Sequence, residues 1–235
     1  MNSLKDLLKD KDGGAILDVG TGYGDFLFEL TESFKTYKKA VGVDISTERL
    51  EKAREKYPDF IFEANAVDQL NYADNSYDTV AISHSLHHLK YPKKILAEMN
   101  RVLKPGGMFI IREVFQTPEN EKPNSQRHIH HFWARTDQLK DISHYETYTP
   151  NEIKDLSAFL NLHHTVSFNV VDAPTAEEAP SILESMIKHT SEITEELKQA
   201  GQHPELVTEG EELVKRFTKQ GVVYEEALII LGNKQ

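Results

Sequence analysis

Three glycines at two-residue spacing, Gly20, Gly22 and Gly24, stand between two acids, Asp18 and Asp44. Glycines so placed let a backbone turn tightly and lie against a ligand with no Cβ in the way. An acid at a strand end can accept hydrogen bonds from the paired hydroxyls of a ribose. A dinucleotide fingerprint would read G-x-G-x-x-G, with a pyrophosphate on the following helix N-terminus. Here the third glycine comes one residue early, and Asp25 stands where the fingerprint glycine would be. A carboxylate there repels a pyrophosphate. The ligand that suits this loop is a nucleoside carrying an amino-acid tail and no phosphate.

The elements that must hold these residues follow from the pattern around them. Ala15–Val19 is a short apolar run of the kind buried on both faces of a sheet. Phe26, Leu27, Leu30 and Phe34 are spaced for one face of a helix. Ala40–Ile45 reads as a second strand with Asp44 near its C-terminal end. Strand, glycine turn, helix and acid-tipped strand make a βαβ unit that holds a nucleoside cofactor.

The stretch Asp18-Val19-Gly20-Thr21-Gly22-Tyr23-Gly24 has the form D-x-G-x-G-x-G and resembles motif I of the class I S-adenosylmethionine methyltransferases. Two further stretches resemble the same family, Asp74-Asn75-Ser76-Tyr77-Asp78 before a fourth strand and Arg101-Val102-Leu103-Lys104-Pro105-Gly106-Gly107 before a fifth. The resemblance covers Ala15–Phe115, and its flavour is the ubiquinone-biosynthesis-like, small-molecule branch. It implies an α/β fold with a seven-stranded, mostly parallel doubly wound sheet, a Rossmann-like methyltransferase core. It also implies S-adenosylmethionine as cofactor, with S-adenosylhomocysteine as product. Cofactor contacts are then expected from Asp18, Gly20, Thr21, Gly22, Gly24, Asp44, Ile45, Asn65, Ala66 and Ser83. The family's adenine-binding acid after the third strand is replaced here by Asn65, within Ala64-Asn65-Ala66. Asp68 is the alternative, and the sequence leaves the choice open. Asp78 is expected to be structural.

The acceptor side is read from histidines. His84 follows the fourth strand, at the end of the sheet where ligands of open α/β folds bind. Ser125–Asp141 reads as a helix with Ile129, Phe132, Trp133, Thr136 and Leu139 on one side, flanked by a stripe of His128, His131 and Arg135. His84, His128 and His131 are therefore the candidate bases for methyl transfer to O, N or C of a small metabolite. His87 and His88 resemble a family helix start, and Glu113 is placed near the substrate end of the fifth strand. The run His128-Ile129-His130-His131 scatters around its helix, so no metal is expected.

Residues 1–115 are expected to form the cofactor-binding core with an N-terminal helix over Met1–Asp12, packed on the sheet edge rather than serving as a lid. Residues 116–148, opening with a polar loop at 117–124, are expected to form a helical cap. Residues 149–235 complete the core with a helix after the Thr149 capping box and two strands, His163–Val171 and Tyr224–Gly232. The last strand is delayed by a two-helix insertion at about 176–220. That pair offers either a roof over the substrate or a homodimer face.

Composition narrows the partners. A net charge of −11 opposes binding to a phosphate backbone, so nucleic acid is excluded as substrate. No apolar run is long enough to span a bilayer, and the first residues lack the apolar core of a signal peptide. The chain has no cysteine, so disulfides and thiolate metal sites are ruled out. Together these imply a cytoplasmic enzyme without membrane contact, acting on a small-molecule methyl acceptor.

Overall fold

Strands that are apolar on both faces become the middle of a sheet, and those here do. The computed structural model describes residues 3–117, 122–171 and 173–235. Part of the expected polar loop (118–121) and the first two residues of the expected N-terminal helix lie outside that range. Seven strands form one open sheet: β1 (Ala15–Val19), β2 (Lys39–Asp44), β3 (Ile61–Ala64), β4 (Tyr77–Ser83), β5 (Leu103–Val114), β6 (His163–Val171) and β7 (Glu226–Asn233). Their order is β3-β2-β1-β4-β5-β7-β6. The first five run parallel, while β7 is antiparallel to both β5 and β6.

Among the described residues, eight α-helices accompany the strands: α1 (Leu4–Leu8), α2 (Asp25–Ser33), α3 (Thr47–Lys56), α4 (Pro92–Val102), α5 (Gln126–Gln138), α6 (Pro150–Ala158), α7 (Ala179–Ala200) and α8 (Pro204–Gln220). Alternation along the strands divides the sheet's side chains between two cores. Leu17, Val19, Val80 and Ile82 meet Leu96, Met99, Ile153 and Leu156 on one face. Ile16, Ala81, Ile110 and Ile229 meet Leu27, Leu30 and Leu50 on the other. α1 joins this second layer through buried Leu4 and Leu8, closed by a Ser3–Asp6 capping box. The Thr149–Glu152 capping box starts α6.

Several boundaries differ from the sequence reading, those of β3 and β5 among them. The expected third strand, Phe60–Ala66, shortens to Ile61–Ala64, because the Phe60 amide is turned back to the Tyr57 carbonyl. β5 starts earlier than the Pro105-Gly106-Gly107 turn: Leu103 pairs with Tyr77 and Met108 with Thr79, so 104–107 bulge between them. Asp78 holds that bulge, accepting from the Lys104 ammonium at 2.7 Å and from the Ala15 amide at 2.9 Å.

α5, α7 and α8 share a third core of Ile129, Phe132, Met186, Ile193, Leu206, Leu213 and Phe217. Gly210 of α8 lets the two long helices close on each other. A Cβ there would collide with the Thr194 hydroxyl and lie 3.0 Å from the Phe132 ring. The hydroxyl has no room to swing away, since Thr194 is buried and donates to the Thr190 carbonyl. Gly210→Ala should therefore lower the urea midpoint, by about 1–3 kcal/mol of overpacking cost that outweighs alanine's better helix propensity. An equal or higher midpoint would show that the helices are not in close contact there.

Candidate functional site

The glycine turn is built by backbone conformation. Gly20 and Gly22 have φ of 73° and 54°, a region that side chains with a Cβ rarely adopt. The amides of Gly20 and Thr21 donate to the Val43 carbonyl at 2.8 and 3.0 Å, which pins the turn to β2. A Cβ on Gly20 would sit 2.7 Å from the Ser85 hydroxyl, whereas one on Gly22 would meet nothing within 4 Å. The turn is thus packed on one side and open on the other.

Asp44 braces this loop. Its Oδ2 accepts from the Gly22 amide and its Oδ1 from the Ser46 amide, each at 2.9 Å. Asp18 lies beneath, fully buried, with Oδ2 accepting from the Thr21 hydroxyl at 2.6 Å. Asp18 Oδ1 and Asn65 Oδ1 are both buried and have no hydrogen-bond partner among the described residues. Burial pushes the Asp18 carboxyl up to about 7, with the Thr21 hydrogen bond opposing and the Asp44 charge adding to it. Ile45, beside Asp44, leaves three quarters of its surface open (75%). Ala66 is exposed, and Asp68 is exposed and paired with Lys94 at 3.0 Å. Asp25, the residue that argued against a pyrophosphate, is held by Lys56 at 2.5 Å and by the Tyr57 hydroxyl at 2.7 Å.

Past β4 the chain turns sharply. His84 adopts φ 47° and donates its amide to the Arg112 carbonyl at 2.9 Å. Ser85 follows, its hydroxyl donating to the Ser83 carbonyl at 2.9 Å and to the Gly20 carbonyl at 3.2 Å. A 3₁₀ turn, Leu86–His88, then passes over β5. Glu113 receives it: Oε2 accepts from the Leu86 amide at 2.8 Å, and Oε1 from Val114 at 3.0 Å and from His87 Nδ1 at 2.8 Å. Burial acts to raise the Glu113 carboxyl, but the charge and hydrogen bond of His87 hold it below the usual range. The sequence reading placed no role on His87, and the Glu113 pairing is what singles it out.

A cavity of about 400 Å³ opens between this turn and α5, lined by His84, His87, His130, His144, Trp133 and Arg49 among others. Burial pushes His84 down to about 4, against the opposing charge of Glu113, and His130 down to about 2. His144 is also lowered by burial, although its Nδ1 lies 2.7 Å from the Asp137 carboxylate. The glycine loop, Asp44 and Asn65 do not line the cavity; Ser85 joins the two regions.

His128 and His131, taken as candidate bases, do not face the cavity. His128 Nε2 lies 3.2 Å from the Lys122 carbonyl. His131 Nε2 accepts from the Thr147 amide at 3.1 Å and lies 2.9 Å from its hydroxyl. Arg135 pairs with Glu146 at 2.9 Å and with Glu209. The stripe of α5 that does line the cavity is Gln126, His130, Trp133 and Asp137. The reason is packing: the apolar face of α5 lies on α7 and α8, which turns the other flank inward.

Residues 17–111 match the methyltransferase domain family. A ubiquinone/menaquinone biosynthesis C-methyltransferase of Bdellovibrio bacteriovorus is 39% identical over 110 residues, 45% of this chain and 46% of that protein. Over this segment, β1 to β5, the chain is similar to the methyltransferase domain. The matched segment runs from β1 to β5 and holds the glycine loop, Asp44, His84 and His87; the cap lies beyond it. The chain spans about half the length of the curated relatives it matches. Among solved structures the (4+2)-cyclase SpnF overlays with TM-score 0.62 at 20% identity, covering 98% of this chain and 80% of that one. A phosphoethanolamine N-methyltransferase of Haemonchus contortus, solved with S-adenosylhomocysteine, overlays with TM-score 0.54 at 17% identity, covering 95% and 50%. These likenesses show the class I methyltransferase fold, with an open sheet.

The buried Asp18 generates a test. Its carboxyl keeps a proton up to about pH 7 when folded, against an ordinary value of 3.8. Between those values the folded chain binds the extra proton, so this group's contribution to stability declines as pH rises through the interval. Asp18→Asn removes that titration. In ligand-free protein, melting of the variant relative to wild type should improve steadily from pH 5 to pH 8. A difference independent of pH would place the Asp18 titration in the ordinary carboxylate range.

Proposed function

We propose that this chain transfers a methyl group from S-adenosylmethionine to an oxygen, nitrogen or carbon of a small metabolite. The observation that carries the reading is the glycine loop with its open face at Gly22, flanked by two buried acceptors without partners, Asp18 Oδ1 and Asn65 Oδ1. Buried acceptors are costly unless a ligand supplies donors. The cofactor brings such a set: an ammonium for Asp18, an adenine amino group for Asn65, and ribose hydroxyls for Asp44. Asp44 keeps lone pairs for them, since each carboxylate oxygen can accept more than one hydrogen bond. Exposed Ile45 supplies an apolar surface for the adenine face, and Asp68, tied to Lys94, is the weaker candidate for its amino group.

When bound, S-adenosylmethionine supplies a sulfonium-activated methyl for in-line displacement. The protein's part is to hold an acceptor in line and take its proton. His84 stands at the seam between glycine loop and cavity, and its lowered titration keeps it neutral and able to accept a proton at pH 7. The cavity's volume, about 400 Å³, is within the range of small-molecule pockets. Trp133 and His189 line it from α5 and α7, which supports a roof over the acceptor as the role of the two inserted helices. No helix among the described residues is long and apolar enough to cross a membrane. The lack of cysteine supports a cytoplasmic setting.

Calorimetric titration with S-adenosylhomocysteine, with NAD as control, tests the cofactor half. One-site binding to the first alone is expected. Asp44→Ala should weaken it at least tenfold, about 1.4 kcal/mol, because ribose contacts and the Gly22 brace are lost together. Failure of folded wild type to bind would remove the basis of the reading. For the acceptor half, His84→Asn is the useful variant, since asparagine tolerates positive φ. With labelled cofactor and a metabolite panel, turnover should fall at least tenfold while S-adenosylhomocysteine affinity stays constant. Tight binding with no transfer to any acceptor would instead favour a sensor or assembly module.

A further inference from the structure

We propose that His87, His130 and His144 form a binding site for a divalent first-row transition-metal ion, with zinc as the reference. One ring nitrogen from each of the three lies within 4.8 Å of the others. They come from three separate places: His87 from the 3₁₀ turn after β4, His130 from α5, and His144 from the segment before α6. The ring centroids of His87 and His144 are 4.6 and 4.7 Å from that of His130.

The outer partners match what a metal site needs. His87 Nδ1 is 2.8 Å from Glu113, and His144 Nδ1 is 2.7 Å from Asp137. A carboxylate that accepts the N–H of one ring nitrogen leaves the other as the lone-pair nitrogen, the arrangement that orients ligating histidines. His144 Nε2 is so fixed, and it lies 3.0 Å from His130 Nε2. In the metal-free chain that contact is a hydrogen bond, with His130 Nε2–H donating to His144 Nε2. An ion takes both Nε2 lone pairs once the His130 proton moves to Nδ1, which is buried and has no partner among the described residues.

The dimensions agree as well. Nitrogens bound to zinc at about 2.0–2.1 Å in a tetrahedral site stand roughly 3.4 Å apart. The His130–His144 pair is already near that separation, and side-chain rotation brings in the third. Three imidazole ligands without a thiolate suit zinc, cobalt, nickel or copper. Three protein ligands leave a fourth position on the cavity, where water or an anionic oxygen of a bound metabolite completes the shell. The sequence argues against a metal because the α5 histidines scatter around their helix and the chain has no cysteine. Two of the three ligands lie outside that helix, and only the fold assembles them.

The test uses untagged full-length protein, freed of metal with a chelator that is then dialysed away. It is titrated with zinc by calorimetry and with cobalt by visible absorption. One ion per chain with micromolar or tighter affinity is expected, with cobalt bands of four-coordinate intensity. His130→Ala and His144→Ala should each weaken zinc at least 100-fold, and Asp137→Asn by 10- to 100-fold. His163→Ala, on the exposed edge strand, should change nothing. His130→Asn serves if the alanine variant does not fold. No binding by wild type, or binding that survives loss of His130 and His144, overturns the site. S-adenosylhomocysteine titration of the same samples reports separately on the cofactor loop, so either reading can fail without the other.

Discussion

A carboxylate with no exposure to water, Glu113, holds the place where the sheet meets the cavity. An ionised carboxylate buried this deeply costs several kcal/mol unless its oxygens are bonded and its charge is met. Glu113 meets both conditions with two backbone amides and the His87 ring. The condition works in reverse too. To bring the Leu86 amide back over β5, the chain must leave β4 through a left-handed residue, and His84 takes that conformation at a cost of about 1–3 kcal/mol. The hydrogen bonds at Glu113 offset it. The positions of both His84 and His87 follow from this one buried charge.

A second carboxylate organises the other half. Asp44 ties the glycine turn to the start of α3, so the loop keeps its shape without a ligand. The buried Asp18 beneath it is destabilising in the free chain, and its unpartnered oxygen is the kind of stored cost that functional sites carry. The two halves touch through the Ser85 hydroxyl on the Gly20 carbonyl. Glycine loop and cavity are therefore adjacent but separately built. One rests on strand ends and glycines, the other on a helical cap with its own core.

Much of the first half could be read from the chain. The β1–α2–β2 unit declares itself because apolar runs, glycine spacing and a terminal acid are local signals. The capping box at Thr149 is local too. What resisted reading was tertiary. The period of α5 identifies Ile129, Phe132 and Thr136 as its buried face, yet a helix has two flanks beside such a face. Only the seating of α5 on α7 and α8 decides that His130, rather than His128 or His131, looks into the cavity. The Glu113–His87 pair is likewise non-local, though a trace of it exists: Ser83 pairs with Arg112 in the parallel register, which brings the residues just beyond each into reach. Asp137, seven residues after His130 on the same stripe, is a further trace. It acquires meaning only once His144 is folded against it.

The placing of β7 between β5 and β6 bears on how the molecule assembles. β5 begins its antiparallel ladder by pairing Met108 with Asn233, and β6, at the sheet edge, pairs with β7. These contacts span most of the second half of the chain, and non-local pairings form late because loop closure must precede them. By contrast α7 and α8 are a hairpin of sequence neighbours with a core that needs only α5 besides. The cap can therefore gather early, while β5 still has an open edge. The last stretch of strand then acts as a bolt: until it slides home, β6 and the far edge of β5 stay exposed as sites for wrong pairing.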